Sequence, residues 1–392
     1  MKEIVIVSGA RTAIGTMAGS LKDVHQADMG GLVIKEAVKR AGIRPEAVDE
    51  VVVGCVGQVA ESGFLGRMCS LKAGLPLETT AYSVNRQCGS GLQAINDAFK
   101  QIQCGDADIV VAAGTDNMNQ LPYYLRKARF GYRFGHDQLE DGLLTILTWP
   151  MGPYPNGITA ENVAEQFNIS RADQDEFALR SQEKALAAIA AGKFKDEIIP
   201  VEIKEGKNIT LFDTDEHPRP GLTIEKLAKL RPAFKEGGSV TAANSSGIND
   251  GAGAVVMMSR DKAEELGVKP ILKVVGYAVA GLSPDIMGFA PAPATEKALQ
   301  KTGLTLDDID LIELNEAFAS QSLAVIRHLN IPMEKVNVNG GAIALGHPIG
   351  ATGAILTVKL MNEMQRRGAK RGLVTMCIGG GQGVTTIFEA VE

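Results

Sequence analysis

Three things are scarce in this chain: paired cysteines, long apolar runs and a positive charge excess. Its five cysteines, Cys55, Cys69, Cys88, Cys104 and Cys377, are odd in number and contain no Cys-x-x-Cys spacing. That pattern argues against a disulfide framework and against a zinc site, and suggests a reducing compartment. No segment reaches the roughly 18 consecutive apolar residues of a membrane span. The start, Met1-Lys2-Glu3-Ile4-Val5-Ile6-Val7, has no long apolar stretch of the signal-peptide kind and reads as a strand. Together these features point to the cytoplasm. Net charge is -6, so no global basic field draws nucleic acid, and any polyanionic ligand must meet local basic residues.

The chain is rich in glycine and apolar side chains. With 392 residues, 45% of them hydrophobic and 44 of them glycine, it is long enough for two or three sizeable domains and suits an α/β enzyme with many tight turns. The patterning predicts strands at Ile4–Val7, Val51–Val53 and Ile109–Ala113, with helices at Met29–Ala41 and Gly89–Gln103. The C-terminal third repeats the alternation. Helices are expected at Ala294–Thr302, Glu316–Leu329 and Ala351–Arg367, and strands at Ile309–Leu314, Gly372–Met376 and Thr385–Glu389. Such alternation implies a parallel or mixed sheet covered by helices.

The two thirds also match locally. Gly89-Ser90-Gly91 opens a helix that leads to Gly105-Asp106-Ala107-Asp108-Ile109-Val110-Val111, and Gly350-Ala351-Thr352-Gly353 opens one that leads to Gly368-Ala369-Lys370-Arg371-Gly372-Leu373-Val374. An internal duplication follows, with equivalent turns on either side of one cleft. Between the copies, residues 120–240 break the pattern and read as an inserted loop domain bearing a strong helix at Asp173–Ala191. The first half is then 1–119 plus 241–270, and the second is 271–392.

Four motifs carry chemistry. Asn85-Arg86-Gln87-Cys88-Gly89-Ser90-Gly91 places a thiol at a helix start, where unpaired N–H groups are expected to lower its pKa and stabilise an adjacent oxyanion. Gly346-His347-Pro348-Ile349-Gly350 fixes an imidazole between rigid turns, as a general base requires. Cys377-Ile378-Gly379-Gly380-Gly381-Gln382-Gly383 puts a second thiol before a glycine turn, and Asn315-Glu316-Ala317-Phe318-Ala319 ends an apolar run. Cys55, Cys69 and Cys104 read as small apolar residues, and His25, His136, His217 and His328 as structural histidines. No Gly-x-x-x-x-Gly-Lys-Ser/Thr motif is present to cradle a nucleotide phosphate.

The four motifs, their order and the duplicated halves resemble the thiolase family, most closely its acetoacetyl-CoA branch. The similarity extends to Ile158-Thr159-Ala160-Glu161-Asn162 and Asn249-Asp250-Gly251-Ala252 and spans essentially the whole chain. The resemblance implies a duplicated, five-layered αβαβα fold, a homo-oligomer (dimer or tetramer), and acyl-CoA thioesters as substrates with no metal or redox cofactor. It implies that Cys88 is the acylated nucleophile, that His347 is its base, and that Cys377 removes an α-proton. Asn315 would hold an oxyanion-hole water, and the backbone N–H groups of Cys88 and Gly379 would receive the thioester oxygen. The family's coenzyme A contacts fall on Arg219, Ala242, Ser246, Gly247, Met287 and Phe318. Lys229 and Arg231 are either added positive charge or a solvated loop face. One departure stands out: Pro155-Asn156-Gly157 occupies the place of a His-Met-Gly common in acetoacetyl-CoA thiolases, so chain-length preference is open. The competing expectations are a degradative 3-ketoacyl-CoA thiolase and a non-catalytic acyl-CoA-binding relative.

Overall fold

A computed structural model describes residues 2–391, apart from the side chain of Glu205. Strand β1 (Ile4–Thr12) is buried along its whole length and is longer than the apolar run Ile4 to Val7 suggests. Its polar residues extend it because their groups are satisfied inside: Ser8 donates to Ala37 O at 2.7 Å, and Arg11 donates to Glu197 at 2.7 Å and to both oxygens of Asp215 at 2.8 and 2.9 Å. Helix α1 (Gln26–Ala41) follows and is closed by Gly42 in the left-handed region. Next come β2 (Glu50–Gly54), α2 (Leu65–Lys72), β3 (Thr80–Val84), α3 (Ser90–Cys104) and β4 (Ile109–Asp116). The segment after β4 carries α4 (Asn156–Gln166) and α5 (Arg171–Ala190), the latter opened by a Ser170/Asp173 capping box. The chain then forms β5 (Asn249–Ser259), β6 (Leu272–Gly281), α6 (Pro291–Thr302), β7 (Leu311–Leu314), α7 (Ala319–Leu329), α8 (Thr352–Arg367), β8 (Arg371–Ile378) and β9 (Gln382–Ala390).

Strand order exposes the duplication. The first half runs β3-β2-β4-β5-β1, parallel across β3/β2 and β2/β4, then antiparallel across β4/β5 and β5/β1. The second runs β7-β8-β9-β6, parallel, antiparallel, antiparallel. Where the first half has β3, the second has a single parallel bridge from Val336 to Ile312. The halves meet through β1 and β6, paired at Val5/Lys273 and Ile6/Leu272.

Residue parity sorts the layers. Val51 and Val53 point with Val33 and Ile34 of α1 into one core, whereas Val52 points with Leu92 and Ile95 of α3 into another. That second core also holds Leu356 and Leu360 of α8 and Val374 and Met376 of β8, so α3 and α8 are sandwiched between the half-sheets. A third core joins Leu299 of α6 and Leu323 of α7 to Ile312 and Leu373. Five layers, αβαβα, result.

The crossing of α3 and α8 decides where the motif loops lie. A Cβ on Gly353 would sit 2.2 Å from Leu92 N, and one on Gly91 2.8 Å from Ala354 N, so the two helix starts approach with no side chain between them. Helix α7 begins at Ala319, not Glu316, because Phe318 stays extended and bridges Ser245. Residues 121–149 contain only short pieces, among them the ladders Tyr123–Tyr124 with Glu140–Asp141 and Thr148–Trp149 with Tyr154–Pro155. No helix among the described residues is long and apolar enough to cross a membrane.

Candidate active site

Cys88 sits on a turn forced by its neighbours. Gln87 adopts φ +46°, and Ser90 Oγ accepts from Arg86 N–H at 2.9 Å while donating to Gln87 O at 2.6 Å. The expected lowering of the thiol pKa does not occur. Burial pushes Cys88 up to about 11, against the backbone N–H groups of Gly379 and of Cys88 itself, which favour the thiolate. Desolvation outweighs the helix start because the side chain is 7% exposed. Cys69 is pushed higher, to about 12, and burial drives Cys55 and Cys377 upward too. Cys88 is therefore more readily ionised than Cys69 or Cys377.

His347 is held from every side. Its backbone N–H donates to Asn249 Oδ1 at 2.9 Å, and three residues on, Gly350 N–H donates to the buried carboxylate of Asp116. Asp116 also accepts from Val56 and Gly57 N–H and from the Cys55 thiol, clasping a loop of the first half to the histidine loop of the second. The Thr352 hydroxyl donates to Pro348 O at 2.7 Å, so at 2.6 Å it must accept from His347 Nδ1–H. That tautomer leaves the Nε2 lone pair to accept from Asn315 Nδ2–H, 3.4 Å away. Burial pushes His347 down to about 4, so the ring is neutral near pH 7.

Cys377 ends β8 inside a small apolar cluster with Met287, Phe318, Ala317, Ala160 and Val240, and its thiol interacts electrostatically with Cys88. Asn315 is buried at the end of β7, its N–H bonded to Thr375 O and its Oδ1 without a partner among the described residues. An apolar cavity of about 170 Å³ opens onto His347 and is walled by Ser246, Gly247, Phe318, Pro155 and Asn156. The structure thus brings Cys88, His347, Cys377, Asn315 and Gly379 into one region bordered by Ser246, Gly247, Met287 and Phe318. Arg219 and Ala242 are exposed and do not line that cavity.

Sequence reasoning placed His217 among structural histidines. It lies against Gly247, where a Cβ would be 2.4 Å from its Cε1, and burial followed by the charge of Arg219 lowers its pKa to about 4. Two residues earlier, Asp215 is the bidentate partner of Arg11, which ties this segment to β1. Asp116 was not singled out from the sequence, and only its position at the end of an apolar strand could have pointed to it.

Family models agree with this architecture. The "Thiolase, N-terminal domain" model matches residues 4–261 and the "Thiolase, C-terminal domain" model residues 268–390. The chain belongs to the thiolase family. An acetyl-CoA acetyltransferase of Syntrophomonas wolfei subsp. wolfei is 54% identical to this thiolase over 395 residues, covering 100% of both chains. The beta-ketothiolase BktB of Cupriavidus necator is 50% identical over 392 residues, again covering 100% of each. Among solved structures, the Bacillus anthracis acetyl-CoA acetyltransferase superposes with a TM-score of 0.98 at 48% identity, over 100% of this chain and 99% of that one. Human mitochondrial 3-ketoacyl-CoA thiolase superposes at 0.97 with 44% identity and the same coverage.

Proposed function

We propose that this thiolase, an acyltransferase, catalyses the reversible Claisen condensation of two acetyl-CoA to acetoacetyl-CoA and CoA through an acyl-Cys88 intermediate. The observation that carries the reading is the meeting of two interacting thiols, with the Gly379 N–H on Cys88, and a neutral imidazole whose Nε2 accepts from Asn315 and which opens onto a small apolar cavity. Relatives near 50% identity over the full chain are named for this chemistry.

The protons balance around a closed cycle. His347 Nε2 takes the Cys88 proton as the sulfur attacks the thioester carbonyl, whose oxygen is received by the N–H groups of Cys88 and Gly379. The departing CoA sulfur takes its proton from Cys377. That leaves an acetyl-Cys88, a Cys377 thiolate and a His347 imidazolium, opposite charges that stabilise each other in a dry site. The thiolate then removes the α-proton of a second acetyl-CoA. Its enolate oxygen is met by His347 Nε2–H and a water on Asn315, whose unpartnered Oδ1 offers an acceptor. Carbon–carbon bond formation expels Cys88, which recovers its proton from His347.

Coenzyme A is substrate here, with no further cofactor. Ser246, Gly247, Met287 and Phe318 would line the pantetheine and acyl path, while Arg219 and Ala242 would meet the nucleotide end. Residues 120–240 would form the insert for coenzyme A and for oligomer contacts, in a cytoplasmic homo-oligomer, dimer or tetramer. Met287 should wall the acyl path and keep acetoacetyl-CoA preferred, while Pro155 and Asn156, standing in the cavity wall in place of His-Met, leave room on one side for measurable cleavage of slightly longer or branched 3-ketoacyl-CoA. An overlap with the wall costs about 1–3 kcal/mol, more than the roughly 0.8 kcal/mol gained per buried methylene. Assaying CoA-dependent cleavage of 3-ketoacyl-CoA from four carbons upward tests this, together with Pro155→His/Asn156→Met, which should narrow the range. A higher kcat/KM on eight- to sixteen-carbon substrates would establish the degradative reading instead.

A further inference from the structure

The turn after Cys377 is three successive glycines, the least restrained sequence available, yet it is gripped on two faces. On one face, Gly381 lies so close to the next segment that a Cβ there would be 2.4 Å from Leu282 O and 2.8 Å from Pro284 N, and Leu282 N–H donates to Gly381 O at 2.7 Å. On the other, the indole of Trp149 rests on Gly380, 3.0 Å from where its Cβ would stand. Both glycines have positive φ, +86° and +82°. The two walls are joined to each other. Tyr154, the cross-strand partner of Trp149, donates its hydroxyl to Asp285, whose own carbonyl accepts from Asn162 Nδ2 at 2.9 Å. Gly152 in the hairpin lets both rings fold in, since a Cβ there would be 2.7 Å from Tyr154 Cε1 and 3.5 Å from Trp149 Cδ1. Trp149, the glycine turn, Pro284-Asp285 and Tyr154 close a ring.

We propose that Trp149, Tyr154 and Asp285 are positioning residues that hold the Gly379 N–H on the Cys88 sulfur and so fix the donor for the thioester oxygen. The proposal rests on the role given above to Cys88 and Gly379. A backbone donor on a triple-glycine turn cannot hold an oxyanion geometry alone, because such a site needs its donors fixed within about 0.5 Å. The clamp supplies that restraint from an aromatic face, a backbone hydrogen bond and a tyrosine strap. None of its three side chains need touch substrate.

The test uses full-length Trp149→Ala, Trp149→Phe, Tyr154→Phe, Asp285→Asn and the Tyr154→Phe/Asp285→Asn double variant. Misplacing a catalytic donor by an ångström costs up to about 100-fold. Trp149→Ala is expected to lose roughly 10- to 100-fold in kcat with KM for acetoacetyl-CoA nearly unchanged, and Trp149→Phe to recover most of it. The double variant should be no worse than the poorer single one, since both break one strap. Iodoacetamide alkylation of Cys88 at fixed pH gives a readout independent of turnover and should slow in step with kcat. In Tyr154→Phe, emission from Trp149, the only tryptophan, should shift to longer wavelength. Wild-type kcat in all five variants overturns the clamp. So does a raised KM with unchanged Cys88 alkylation, which would make Trp149 a pocket wall. Failure of the underlying role of Cys88 shows separately, as absence of acetylation in the wild-type protein.

Discussion

At the scale of single residues, the site is built from groups that hold their neutral forms until substrate arrives. Cys88 is pushed up to about 11 and His347 down to about 4, so the resting pair is thiol and imidazole, not an ion pair. The sign is clear for both: burial disfavours whichever form is charged. Alkylation of Cys88 by iodoacetamide in the free enzyme should therefore rise about tenfold per pH unit from 7 to 9. A plateau beginning near pH 5 would reveal a preformed thiolate–imidazolium pair and refute the neutral one. The roles of the two thiols separate in Cys377→Ala. Acetyl transfer to Cys88 should survive in part while condensation collapses by about 100-fold or more, giving a burst of CoA that then stops. Condensation at the wild-type rate would remove Cys377 from the chemistry. The residue types and their glycine flanks were legible in the sequence; the direction of the Cys88 shift was not. Flanking residues say where a helix begins, but only the packed fold says how dry the thiol is.

At the scale of elements, helices α3 and α8 matter most, because their starts carry both motif loops. Gly353→Ala would place a methyl 2.2 Å from the backbone nitrogen of Leu92, an atom that no rotamer change can move aside. Loss of about 3 kcal/mol or more is expected, the upper end of overpacking costs, read as a lower urea midpoint at unchanged m-value. A loss under about 0.5 kcal/mol, the scale of an ordinary surface change, would mean the helices do not meet as described. Most elements were legible from periodicity, with ends off by a few residues where polar groups found buried partners. Strand β1 ran past Val7 because Arg11 met Glu197 and Asp215, which lie 186 and 204 residues away in sequence. Helix α7 lost its first residues to the extended path of Phe318. Such long-range satisfaction leaves no local trace. Neither does the hairpin at 148–155, whose weak pattern conceals the Trp149–Gly380 contact.

At the scale of the whole molecule, two copies of one strand order face each other across shared helices, and each contributes part of one site. Cys88 comes from the first half, His347, Asn315 and Cys377 from the second, and Asp116 and Asn249 fasten the two together. The duplication was readable because the glycine-bounded helix starts repeat in sequence. The clasp was not, because Asp116 and Gly350 are 234 positions apart. The central claim is that this composite site passes an acyl group through Cys88 with the help of a base from the other half. The most direct measurement is mass spectrometry of peptides after brief incubation with acetyl-CoA, on the wild-type protein and on His347→Ala. The acetyl group should appear on the peptide containing Cys88 in the wild type and fall to background in the variant. Acetylation found mainly at Cys377, or at Cys88 equally in both proteins, would contradict the account.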